Sequence, residues 1–146
     1  MKAEELLTPG EKERIKSAIL TAEKNTSGEI RVHLDNYCEG DVLDRAALIF
    51  ETLKMHKTGK RNGVLFYLAI RDKKFAILGD AGINAVTPDD FWDKIKDTML
   101  LSFSKDDFTE GICKGIEMAG KALKDHFPYH DKDINELSDD ISFGKD

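Results

Sequence analysis

A chain of 146 residues with a net charge of -6, 40% hydrophobic and 34% charged residues, is one ordinary domain that can bury a core without disulfides or a structural metal. Pro128 to Asp146 holds six acids against two lysines, so the body is nearly neutral and no basic face offers itself to nucleic acid. No apolar run approaches a membrane span, the charged Met1-Lys2-Ala3-Glu4-Glu5 lacks the apolar core of a signal peptide, and Cys38 and Cys113 lack ligand spacing; a reduced, cytoplasmic setting is expected.

Thr8-Pro9-Gly10-Glu11 predicts a helix start, with Thr8 as cap, Pro9 in the first turn and Glu11 at the capping-box offset. Ile15, Ala18, Ile19 and Ala22 form its apolar stripe, which fades at Asn25-Thr26-Ser27-Gly28. Glu29 to Asp35 alternates polar and apolar, as in a strand with one buried face. His33 lies opposite Val32 and Leu34 and is expected at the surface. Asp41 to Lys57 reads as a helix with Leu43, Ala46, Ala47, Phe50 and Leu53 inward. Asp41 and Asp44 complement its dipole.

Gly63 to Ile70 is a continuous apolar run, predicted as a central strand buried on both faces. Arg71-Asp72-Lys73-Lys74 turns the chain into the strand Phe75 to Leu78, at hairpin distance. Asp89 to Phe103 is the next helix, with Trp92, Ile95, Met99 and Phe103 inward. Phe108 to Phe127 is the last, and Cys113 on it reads as a small core residue. Gly111, Gly115 and Gly120 cost helix propensity and are expected where that helix packs closely. His126 and His130 straddle Pro128, which breaks the helical face a metal pair needs. Residues 1–127 are read as a single domain. Residues 128–146 are read as a mostly extended acidic tail in which Ile134, Leu137, Ile141 and Phe143 can touch the body. The order α-β-α-β-β-α-α predicts an α/β fold: a small mixed β-sheet, a parallel pair plus an antiparallel hairpin strand, sandwiched by helices.

This topology separates two edges. Asp35, Asn36, Glu39, Asp41, Asp44 and Asp72 lie at the carboxyl ends of the parallel strands, where open α/β sheets usually take ligands. These acids suit a hard cation, although hairpin polarity and helix starts also explain them. The opposite edge gathers Ser27-Gly28-Glu29, Arg61-Asn62-Gly63 and Gly79-Asp80-Ala81-Gly82, with Asp89 and Asp90 at the next helix start. Two glycines there bracket a carboxylate where a strand hands over to a helix, and glycine permits positive φ or close backbone approach. That mix suits a divalent cation, or a phosphate bridged to one.

Ser27-Gly28-Glu29-Ile30-Arg31-Val32, Arg61-Asn62-Gly63-Val64-Leu65-Phe66 and Gly79-Asp80-Ala81-Gly82-Ile83-Asn84 resemble the TPM domain over roughly residues 6 to 127. The family is named for a thylakoid lumen protein, a photosystem repair protein and a nematode receptor regulator. Asn135 to Ser142 is similar to the tail of a short bacterial branch. The resemblance implies a mixed sheet between helices, divalent-metal binding and, from a plant member, acid phosphatase activity. It carries Asn62, Gly63, Gly79, Gly82 and Asp89 onto the second edge, with Asp80 as the loop acid. On chemical grounds the candidate ligands for Ca²⁺ or Mg²⁺ at this edge are Asp80 and Asp89, with Asn62 as a neutral ligand and Glu29 in support. For a hydrolase, the catalytic candidates on chemical grounds are Asp80, Glu29 as base and Arg61 as a bidentate clamp on a phosphate-bearing small molecule. Arg61 stands where many members carry aspartate, and the glycine loop is one residue longer than usual.

These features rank a weak divalent-cation-binding module acting through a protein partner first. A metal-assisted, acid phosphatase-like hydrolase comes second and a metal-free assembly or structural factor third. Cys38 to Arg45 is one residue too long for a cysteine-phosphatase loop, and neither a P-loop nor a nucleophile elbow is present.

Overall fold

The first helix starts where its capping residues dictate. The Thr8 hydroxyl accepts the Glu11 N–H at 3.1 Å, and the Glu11 carboxylate accepts the Thr8 N–H at 2.9 Å, which satisfies two donors of the first turn. The computed structural model describes residues 2–129 and 137–144; His130 and Ile134 lie outside them. Helix α1 (Pro9–Glu23) leads to strand β1 (Glu29–Asp35), helix α2 (Val42–Thr52), strand β2 (Gly63–Ala69) and strand β3 (Lys74–Gly79). A single helical turn α3 (Ala81–Asn84), helices α4 (Phe91–Ser104) and α5 (Phe108–His126) and a two-residue strand β4 (Ser142–Phe143) complete the order.

The sheet runs β3-β2-β1-β4. Strands β1 and β2 are parallel, from Glu29 opposite Gly63 to Asp35 opposite Ala69, and β3 returns antiparallel to β2. This is the mixed α/β sheet that the pattern predicts. Two elements are additions: α3 follows β3 directly, and β4 lies parallel to β1.

Alternation along the strands decides the layers. Ile30, Val32, Leu34, Val64, Phe66 and Leu68 face α1, α4 and α5 in the larger core, whereas Leu65, Tyr67 and Ala69 face α2 in a smaller one. The helical glycines permit close contact, as expected. A Cβ on Gly111 or Gly115 would strike Phe103 or Met99, and one on Gly120 would strike Ala22 of α1.

Four expectations are corrected. His33 is 4% exposed rather than at the surface, because Tyr67 stacks on it and β4 pairs beside it. Leu43 and Ala47 are exposed, because α2 turns Ala46 and Ile49 to the sheet. That helix stops at Thr52, since Lys54 takes a left-handed φ of 56° and opens a short 3-10 turn. Cys113 sits only partly buried at the margin of the larger core.

Candidate functional site

The entry of β1, the entry of β2 and the exit of β3 meet at one edge, because Glu29 pairs with Gly63 and Val64 pairs with Gly79. Backbone hydrogen bonds join them. Asp80 N–H donates to Gly63 O at 3.0 Å, Gly82 N–H to Arg61 O at 2.9 Å and Glu29 N–H to Asn62 O at 3.3 Å. Asp80 caps α3, its Oδ1 accepting the Ala81 N–H at 2.7 Å. Across the turn, Arg61 grips the same carboxylate with both arms of its fork: Nε to Oδ2 and Nη2 to Oδ1, each 2.8 Å. The Asp80 side chain is 5% exposed and that of Arg61 is 50% exposed. The Asp80 hydrogen bonds raise the Arg61 pKa further above its ordinary value.

The two loop glycines serve close approach. Neither has a positive φ; Arg61 carries the left-handed value, 52°. A Cβ on Gly82 would overlap the Lys60 carbonyl oxygen, and one on Gly79 would overlap the Trp92 ring. Asn84 completes the loop, donating to Gly79 O at 2.9 Å and accepting from the Trp92 indole at 3.4 Å.

The other predicted site residues fall around this pair. Asn62 is buried, and its amide donates to the Ser27 hydroxyl at 3.4 Å. Glu29 is also buried, and its Oε1 accepts the Leu137 N–H. Asp89 is exposed in the turn before α4. The structure thus brings Asp80 and Arg61 into contact and leaves Glu29 and Asn62 bonded to other partners. Among the described residues, no three His, Cys, Asp or Glu side chains are grouped to hold a metal ion.

The carboxyl edge resolves differently. Asp41 caps α2, accepting from Leu43 N–H at 2.7 Å and Asp44 N–H at 3.2 Å. Asp72 accepts the Cys38 N–H at 2.7 Å. Asp35 turns into the small core, where Oδ1 meets His33 Nε2 at 2.9 Å and Oδ2 accepts from Tyr67 OH at 2.6 Å and Arg45 Nε at 3.1 Å. His33 Nδ1 lies 2.9 Å from the Ser142 hydroxyl. Burial alone would raise the Asp35 pKa, but the bonds from His33, Tyr67 and Arg45 hold it well below the usual carboxylate range. Burial, then Asp35, pushes the Tyr67 phenol well above its ordinary value. Residue-by-residue reading missed this cluster, although period-two alternation puts His33 and Asp35 on one face and the strand register puts Tyr67 beside them.

The TPM domain family matches residues 1–122. The chain belongs to the TPM domain family. The NMR structure of the BA42 protein from the psychrophilic bacterium Bizionia argentinensis is 52% identical, covers 98% of this chain and 99% of its own, and superposes with a TM-score of 0.91. Two N-terminal domains share the fold at lower identity. One, of cg2496 from Corynebacterium glutamicum, is 16% identical with a TM-score of 0.64 and covers 80% of this chain and 74% of its own. The other, from P. gingivalis, is 18% identical with a TM-score of 0.70 and covers 86% and 83%. Among curated proteins, none matches the chain.

In this TPM domain the residues of the second edge do not fit a cation while Arg61 is in place. Asp80 directs both oxygens to a guanidinium, which already supplies the positive charge a metal would bring.

Proposed function

We propose that this TPM domain is a binding module acting through a protein partner, and that Ca²⁺ or Mg²⁺ enters its Gly79–Asn84 edge only weakly, by competing with Arg61 for Asp80. The observation that supports this most is the guanidinium spanning both Asp80 oxygens at 2.8 Å. A cation has to break that pair before it binds, so its affinity falls in the range of about 10⁻⁴ M or weaker.

Hydrolysis asks more of the site. Water activation needs a cation with an open position and a base. Glu29, the expected base, accepts from the Leu137 backbone. Arg61, the expected phosphate clamp, is committed to Asp80. Binding therefore stands ahead of phosphatase-like chemistry. Cys38 and Cys113 are free thiols, which suits a reduced, cytoplasmic setting.

The test is hydrolysis of p-nitrophenyl phosphate with Mg²⁺, Mn²⁺ or Ca²⁺, by the wild type and Asp80→Ala. No turnover above the blank is expected from either. Turnover in the wild type that vanishes in Asp80→Ala would make the domain a hydrolase and overturn the proposal.

A further inference from the structure

Strand β4 supplies only two residues, opposite His33 and Leu34, to the seven-residue strand β1. A ladder that short contributes little by itself, and side chains carry the docking. Lys16 Nζ meets Asp140 Oδ1 at 2.9 Å, and Arg31 Nη2 donates to Asp140 O at 3.3 Å. The Lys12 ammonium lies 5.6 Å from the centroid of the Phe143 ring. Ile141 and Phe143 pack on the larger core and Leu137 on the smaller. Ser142 meets His33 at 2.9 Å, and Gly144 N–H donates to Leu34 O at 2.9 Å.

Each position of the segment is thus read by a specific group: the acid by Lys16, the aromatic ring by Lys12, the hydroxyl by His33 and the backbone by β1. This is how an exposed strand recognises an extended peptide, with main-chain bonds for affinity and alternate side chains for selectivity. An unpaired strand edge also invites such a partner. From this we infer that the β1 edge is a peptide-binding site for an extended partner segment of the pattern acid-apolar-small polar-aromatic, and that Asp140-Ile141-Ser142-Phe143 occupies it in cis as a displaceable stand-in. Charge complementarity selects this occupant: Lys16 pairs with the Asp140 carboxylate, Arg31 donates to the Asp140 carbonyl and Lys12 lies against the Phe143 ring, so the edge favours an acid followed by an aromatic. The inference uses a different edge from Arg61 and Asp80 and stands without the cation reading.

The test titrates a labelled peptide, Leu-Ser-Asp-Asp-Ile-Ser-Phe-Gly, into the full chain and follows amide shifts. Phe143→Ala loosens the cis segment from the core side. Asp140→Lys does so at an exposed position that leaves the core intact. If the cis segment competes, apparent affinity scales with the open fraction, so either variant should bind the peptide roughly tenfold more tightly than the wild type. Shifts should concentrate in β1 and in α1 near Lys12 and Lys16. Lys12→Glu with Lys16→Glu in the Asp140→Lys background should abolish the gain. Equal affinity in wild type and both loosened variants would overturn the inference. So would a concentration-dependent dimer in the loosened variants that ignores added peptide, because it would assign the edge to a second copy. Shifts confined to Gly79–Asn84 would overturn it as well. None of these results bears on cation binding at Asp80.

Discussion

Arg61 and Asp80 are joined by two parallel hydrogen bonds of 2.8 Å, one to each carboxylate oxygen, between the entry of β2 and the exit of β3. The carboxylate is nearly buried while the guanidinium reaches solvent, so the pair shields a charge that could not stay there alone. Arg61→Ala is expected to lower the urea midpoint, because it leaves a buried carboxylate with the Ala81 N–H as its remaining protein donor among the described residues. Asp80→Asn should recover part of that loss in the double variant. Additive losses would show that the two side chains act independently.

Gly82→Ala tests why the loop needs glycine. The residue has no positive φ, so backbone freedom is not at stake. The new methyl would overlap the Lys60 carbonyl oxygen, and overpacking of this kind costs roughly 1–3 kcal/mol. Urea denaturation should show that loss. A neutral substitution would mean that the loop and the Lys60–Arg61 segment are not in firm contact.

Tyr67→Phe removes one of the three side-chain donors that hold Asp35. Hydrogen bonds to charged groups are worth about 1.5–3 kcal/mol, and a loss in that range is expected at neutral pH. The folded Asp35 value is depressed, so its stabilisation is present above the unfolded value of about 3.9 and is lost as pH falls toward the folded value. The Tyr67→Phe penalty should therefore shrink in acid. A penalty independent of pH would assign it to packing alone.

Glu23 titrates in the opposite sense. Its Oε2 accepts the Ile30 N–H at 2.8 Å. Burial first, then its hydrogen bond with Asp139, pushes its pKa from 4.5 to about 9. A folded value above the unfolded one gives stability that is fully present below about 4.5 and drains away as pH rises toward the folded value. Glu23→Gln keeps an acceptor for Ile30 and a donor for Asp139 without the titration. Its urea midpoint should overtake that of the wild type between pH 5 and pH 8. Parallel pH profiles would refute the assignment.

Much of this fold was legible because local chemistry and global pattern agree. The Thr8–Glu11 box, the unbroken apolar run of β2 and the turn before β3 each specify one outcome. The crossing points of α5 followed from its glycines. Legibility failed where long-range contact overrides alternation. His33 looks like a solvent-facing residue of an amphipathic strand, and only Tyr67 and Ser142, 34 and 109 positions away in sequence, bury it. The site was half legible. Asp80 stood out from the glycines around it and Arg61 from its place before Asn62. The bidentate bond between them depends on the left-handed backbone at Arg61, which no sequence pattern announces for an arginine.

The central claim is that Arg61 holds the place of a cation at Asp80. It is tested most directly by titrating Ca²⁺ and Mg²⁺ into the wild type and Arg61→Gln while following backbone amides. The account predicts millimolar-range shifts at Gly79–Asn84 and Asn62 in the wild type, on the order of 10⁻⁴ M or weaker, and tighter binding at the same amides in Arg61→Gln. Shifts confined to Asp35–Asp44, or identical affinities in the two proteins, would contradict it.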